Sequence, residues 1–307
     1  MPGGRDVLDA VRLNFSADAL VALNVLLAAI MFGIALDLDF ADFRRVSRRP
    51  RALITGLLSQ WLVLPAVTLV LVVLVAPPPS IALGMIIVAA CPGGSVSNFF
   101  SHLARGDVAL SVTMSAITSS FAFLATPLNI ALWGSVLPET RELLRSVEID
   151  VVRMLLIVVL VLVVPTIAGC WLATRRQATA QRLRLPFRRF SMLVFAGFVI
   201  AAFAANWSLF VEWAEVIAGV VMLHNGAALA AGFLLATLVG LPPRVRRSVT
   251  IETGIQNSAL GLTLIFAFFD GLGGMALVAG WWGVWHLVSG AALARFWGVR
   301  DVEPAPA

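Results

Sequence analysis

The chain has 307 residues, 60% of them hydrophobic and only 13% charged, with a mean hydropathy of +0.95. A soluble domain carries about 45–50% apolar and about 25% charged residues, so a soluble enzyme or a nucleic-acid binder is excluded despite the formal net charge of +5. Arg fills every Lys/Arg position, and the arginines gather in short segments between apolar runs, so the basicity reads as membrane topology.

Residues 1–19 are polar and are read as an extracytoplasmic N-terminal segment without a cleavable signal pattern. Apolar runs follow near 20–36, 53–76, 81–103, 108–133, 150–172, 191–211, 216–239, 249–269 and 276–297. Each is close to the roughly 20 residues that a helix needs to cross a bilayer, which predicts an all-α polytopic membrane protein with nine spans. Residues 134–149 form an acidic connection, 173–190 an Arg-rich loop, and 298–307 a tail. Arg44, Arg45, Arg48, Arg49 and Arg51 follow the first run, Arg175, Arg176, Arg182, Arg184, Arg188 and Arg189 the fifth, and Arg244, Arg246 and Arg247 the seventh. The opposite loops hold Glu139, Glu142, Glu148, Asp150, Glu212 and Glu215. The positive-inside rule therefore puts the N-terminus outside and the C-terminus in the cytoplasm, in a cell (inner) membrane.

Two runs are interrupted. The third contains Cys91-Pro92-Gly93-Gly94-Ser95-Val96-Ser97-Asn98, and the eighth contains Glu252-Thr253-Gly254-Ile255-Gln256-Asn257-Ser258. Unwound backbone at membrane depth survives only where it is buried in protein or lines a cavity, and paired breaks in two halves mark a transporter's binding site. A Pro-Gly-Gly kink alone has an equally simple reading as packing. Glu252 decides against that reading, because a carboxylate at mid-span costs about 2.5–3.5 kcal/mol on insertion scales and no Arg lies in a core span to pair with it. A hard cation is its cheapest partner, and Ser97, Asn98, Ser111, Ser115, Gln60 and Gln256 supply oxygens for one. Ser111 and Ser115 stand one turn apart, on one helix face.

These stretches, with Leu103-Ala-Arg-Gly-Asp-Val-Ala-Leu-Ser-Val112 and Val284-Trp285-His286, resemble the bile acid:sodium symporter family over nearly the whole chain. The resemblance implies inverted repeats, with a core domain in which the two broken helices cross and a panel domain beside it. The first repeat covers 20–133, without its first helix, and the second covers 150–297. It implies two sodium ions as cargo: one at Ser97, Asn98, Ser111, Ser115 and Glu252, a second at Gln60, Glu252, Gln256 and the carbonyls of Thr253 and Ile255. A small organic anion (bile-acid-like, a hydroxy or keto acid, or a sulfonate) is expected near Ser95, Asn257, Ser258 and His286. Ser115 replaces the commoner Thr, which keeps the hydroxyl; Leu287 replaces an Asn of some relatives, which bears on substrate choice. The expected partners are this anion and the lipid bilayer, with no nucleic acid and no protein partner implied.

The remaining features have simpler readings. The acidic stretch Asp37–Asp42 resembles a prenyl-transferase metal motif but adjoins the Arg cluster and reads as an interfacial charge network. Cys91 and Cys170 read as small buried hydrophobes, His102 and His224 as structural, and most of the nine Trp as packing or interfacial anchors. His286, beside Trp285, is the His best placed to line a cavity. The competing functions are a proton-coupled or arsenite-type efflux carrier, with Cys91 and Glu252 carrying the chemistry, and an intramembrane enzyme, for which no nucleophile–base or metal spacing is present; the chain is read as no enzyme.

Overall fold

A computed structural model describes residues 16–36, 49–94, 96–146 and 159–300, together with Asp9, Val46, Val152, Leu156 and Ile157. The described part of every apolar run is mainly helical, with breaks at 91–94 and 255–257, and among the described residues no β-strand occurs. The helices are α1 (Ala17–Leu36), α2 (Pro50–Val75), α3 (Pro79–Ala90), α4 (Val96–Leu103), α5 (Val108–Ser120), α6 (Ala122–Gly134) and α7 (Pro138–Ser146). They continue as α8 (Val159–Arg175), α9 (Gln177–Ala205), α10 (Trp207–Glu212), α11 (Ala214–Leu238), α12 (Pro243–Gly254), α13 (Ser258–Phe268) and α14 (Gly273–Arg300).

Local chemistry explains the boundaries. Pro50, Pro79 and Pro243 open α2, α3 and α12, where a missing N–H costs nothing and the fixed φ suits the first turn. Asp107 caps α5 by accepting from the Leu110 N–H at 3.1 Å. Ser59–Val63 in α2 and Val159–Val163 in α8 are π-helical turns, each just before a proline (Pro65, Pro165) that cannot donate to the preceding turn. α5 and α6 form one pair bent by 73°.

By length and composition, α2, α11 and α14 are each apolar enough to cross a membrane, and the α5–α6 pair passes the same test as a unit. Shorter apolar helices add Asp18–Gly33 within α1, α3, α8 and α13. The short ones include the broken runs: α3 stops at the Pro-Gly-Gly break and α13 starts after the Glu252 break. The Arg-rich segment expected as a loop is largely the start of α9. Its Arg, Gln, Leu and Ala favour helix, and Arg184 Nε donates to the Leu36 carbonyl at 2.7 Å. The acidic connection likewise holds a helix, α7, with Glu139 in its first turn and Arg145 in its last, complementing the helix dipole.

Exposed and buried surfaces are those of a membrane protein. Leu62, Leu74, Leu128, Leu160, Ile167 and Leu193 all face outward, whereas Ser80 through Ala90 of α3 and Ser258 through Ile265 of α13 are buried without exception. The half-helices thus occupy the centre of the molecule, with α14 packed against α3, α4 and α13. α1, α8 and α9 pack on one another as a separate layer, and α1 also touches α13. At one end of the molecule arginines cap helix C-termini: Arg247 donates to Ala104 O at 2.9 Å and Arg51 to Val239 O at 2.5 Å, and Arg184 of α9 does the same for α1 at Leu36 O. Arg49 pairs with Asp107 at 3.6 Å near the same helix ends.

Candidate cation site at the crossed helix breaks

The two interruptions meet. Cys91 and Ile255 leave their helices in extended conformation, and Gly93 pairs antiparallel with Gln256. The Gly94 N–H donates to the Ile255 carbonyl and the Asn257 N–H to the Pro92 carbonyl, both at 2.8 Å. The offset that takes Gly93 to Gln256 also takes Gly94 to Asn257 and Pro92 to Ile255, so each hydrogen bond is the other's mate. The same offset takes Val75, the end of α2, to Leu238, the end of α11. It lays α3 on α12 to within one residue.

Broken helices leave carbonyls without helical partners, and buried ones must be satisfied. Here Ile251 O accepts from the Ile255 N–H, and the Thr253 carbonyl accepts from Gln256 Nε2 at 2.9 Å. Gly254 O accepts from Asn225 Nδ2 at 2.8 Å.

Glu252, on the last turn of α12, is wholly buried, and among the described residues no basic side chain pairs with it. Its Oε1 accepts from Ser97 Oγ of α4, from Ser111 Oγ of α5 at 2.5 Å and from Ser115 Oγ at 3.0 Å; Oε2 lies 3.1 Å from Ser115 Oγ. Asn98 Oδ1 is 2.9 Å from Ser111 Oγ and 3.4 Å from Ser115 Oγ. Three hydroxyl protons therefore face a carboxylate and an amide oxygen that both want them. Such a set is rich in acceptors and poor in protons. A cation among these atoms would take the protons' place, with the hydroxyls turning their lone pairs inward. Among the described residues no three His, Cys, Asp or Glu side chains cluster as a transition-metal site; an all-oxygen donor set suits a hard ion.

On the other side of Glu252 lie Gln60 and Gln256. Both polar atoms of the buried Gln60 amide lack a hydrogen-bond partner, as does Gln256 Oε1. Gly93 explains how they come so close: a Cβ there would stand 2.6 Å from Glu252 Oε2 and 3.0 Å from Gln60 Oε1. Unsatisfied buried amides cost about 1–3 kcal/mol each, and an ion offers Gln60 and Gln256 the partner they lack. The Thr253 and Ile255 carbonyls, expected beside them, each hold one hydrogen bond already and retain a second lone pair. Thr253 Oγ1 reaches Ser59 Oγ at 2.7 Å, so the π turn of α2 aims Ser59 and Gln60 together at α12.

The expected substrate residues are distributed more widely. Asn257 caps α13, its Oδ1 accepting from the Leu260 N–H at 3.1 Å, and Ser258 is buried beside it. His286 is buried on α14 with Nδ1 unpartnered. Ser95 and the stretch Asp37–Asp42 lie outside the described residues. His224 shares a 2.7 Å hydrogen bond with Thr68 and packs on Trp282, ring centroids 4.8 Å apart, which joins α2, α11 and α14. Cys91 Sγ packs near Gly261 of α13. Sequence reading missed Ser59 and Ser289, because a lone Ser in an apolar helix ordinarily bonds its own backbone.

Comparison with known proteins identifies the family. The family model described as "Sodium Bile acid symporter family" matches residues 24–213, more than half of the chain and including the first break. The chain is similar to the Bacillus subtilis "Uncharacterized sodium-dependent transporter YocS", 34% identical over 90% of this chain and 82% of that protein. It is similar to the Arabidopsis thaliana "Probable sodium/metabolite cotransporter BASS1, chloroplastic", 28% identical over 88% of this chain and 65% of that protein. It also resembles the human "P3 protein", 28% identical over 76% of this chain and 48% of that one. The chain thus spans less than two thirds of the plant and human relatives' length. On the strength of these matches and the crossed breaks around Glu252, the chain belongs to the sodium bile acid symporter family of sodium-dependent membrane transporters.

Proposed function

We propose that the protein is a secondary symporter that moves a small organic anion with two sodium ions by alternating access, and that it is not an enzyme. The observation that carries this reading is Glu252: a wholly buried carboxylate without a cationic partner among the described residues, ringed by hydroxyls on one side and unsatisfied amides on the other. One sodium ion is assigned to Ser97, Asn98, Ser111, Ser115 and Glu252. The second is assigned to Gln60, Glu252, Gln256 and the carbonyls of Thr253 and Ile255. The anion is assigned to the side of the crossing that carries Ser95, Asn257, Ser258 and His286. There the α13 N-terminus, capped by Asn257, presents the positive end of a helix dipole.

The constant offset between the halves supports an inverted repeat, with the α1, α8 and α9 layer as panel and the crossed helices as core. Nine crossings follow if each broken or bent pair counts once, with the arginine-capped end in the cytoplasm and the N-terminus outside, in a cell membrane. The deciding experiment is uptake of a panel of radiolabelled organic acids into proteoliposomes. Accumulation of at least one acid driven by an inward sodium gradient, and not by potassium or a proton gradient, is the expected result. Uptake driven by protons alone assigns Glu252 a proton-carrying role instead.

A further inference from the structure

One buried polar residue near the breaks belongs to neither proposed ion site. Asn225, on α11, is wholly buried, and its amide is used at both ends. Nδ2 donates to the Gly254 carbonyl at 2.8 Å, and Oδ1 accepts from Ser289 Oγ of α14 at 2.6 Å. Gly254 is the last residue of α12, and its carbonyl belongs to the peptide that separates the Thr253 carbonyl from the Ile255 carbonyl. A Cβ there would stand 2.3 Å from Leu229 Cδ2, so a larger residue must displace that side chain. Glycine is the residue least able to hold its own backbone angles. The break therefore places its most permissive peptide between two carbonyls that must be aimed together, and one side-chain amide from outside holds that peptide in place.

We infer that Asn225 is a positioning residue for the cation beside Gln60 and Gln256. By fixing the Gly254 carbonyl it sets the direction of the Thr253 and Ile255 carbonyls, and Ser289 fixes the amide itself by tying it to α14. The inference rests on the sodium reading above and adds to it residues that touch no ion. Ser289 is within 3.3 Å of the His286 carbonyl as well, but its single proton goes to the nearer Asn225 oxygen.

The test uses the purified full chain and sodium alone, read as the concentration that gives half of the maximal thermal stabilisation, with lithium and potassium as comparison ions. Asn225→Leu, close in size but with neither hydrogen bond, raises the sodium midpoint at least tenfold and narrows the preference for sodium over lithium. Ser289→Ala leaves the Gly254 carbonyl paired and raises the midpoint about threefold. Thr68→Val is the control: it removes a buried hydrogen bond from α2 to His224, the neighbour of Asn225 on α11, lowers the melting temperature, and leaves the sodium midpoint within twofold. Should Asn225→Leu not fold, Ser289→Ala against Thr68→Val still decides. If Asn225→Leu and Ser289→Ala lower the melting temperature but keep the wild-type sodium midpoint and selectivity, Asn225 only packs and the inference is overturned while the sodium reading stands. If the wild-type protein gains no stability from sodium, the sodium reading itself fails and the inference with it.

Discussion

Ser111 and Ser115 show how residue spacing becomes a site. Their separation of one helical turn sets both hydroxyls on the face of α5 that meets Glu252. Ser111 makes the shorter bond to the carboxylate, so Ser111→Ala removes one oxygen of several. Its expected effect is about a tenfold rise in the sodium midpoint, equivalent to about 1.4 kcal/mol, and Ser115→Ala should cost less. Equilibrium binding of radioactive sodium checks both; equal, near-total loss would mean that the hydroxyls hold the protein's fold rather than an ion. Asn257→Leu separates anion from cation, because Asn257 caps α13 without touching Glu252. The variant is expected to raise the KM for the transported anion several-fold while sodium affinity stays within about twofold. Parallel loss of both would move Asn257 into the ion site.

At the scale of elements, the breaks, the buried acid and the hydroxyl pair could all be read from sequence, because a carboxylate and a Pro-Gly-Gly run inside apolar helices violate the local pattern. The partners of the long helices could not. Asn225, Ser59 and Thr68 lie in α2 and α11, which are apolar on most faces, so periodicity does not say which face meets a break. Their roles come from contacts between residues more than a hundred positions apart, such as Ser59 with Thr253 and Thr68 with His224. The first part of α9, residues 177–190, reads as a loop for the opposite reason: its arginines mark a membrane boundary in sequence but continue the helix of the 191–211 run past it. The crossing itself makes a prediction at this scale. Gly93→Ala drives a methyl group into Glu252 Oε2 and Gln60 Oε1, so transport and sodium stabilisation should both fall by more than tenfold. The outer helices, measured by circular dichroism, should stay folded. Wild-type sodium binding by this variant would mean that the two breaks are looser than drawn.

The whole molecule must carry the charge of its cargo. On the proposed stoichiometry Glu252 contributes one negative charge, two sodium ions two positive and a monoanion one negative, which would leave the loaded core neutral and move one net positive charge inward per cycle. An inside-negative potential then adds roughly 2.3 kcal/mol per 100 mV for a charge crossing the full field. Uptake of a monoanion into proteoliposomes should quicken when a potassium diffusion potential makes the interior negative, and only with sodium outside; indifference to potential would leave the Gln60 and Gln256 side without an ion. Orientation is checked with single cysteines at two exposed positions, Glu142 and Thr179, in a chain whose Cys170 is replaced by Ser. An impermeant reagent added to whole cells should label the first and spare the second, and the reverse pattern would invert the topology. The central claim, that Glu252 is a shared cation ligand, is tested most directly by binding of radioactive sodium to purified wild-type protein and to Glu252→Gln, which keeps the shape and removes the charge. Saturable sodium binding to the wild type that potassium does not displace is expected, with at least a hundredfold lower affinity in Glu252→Gln; equal sodium binding by the two proteins would remove Glu252 from the ion site.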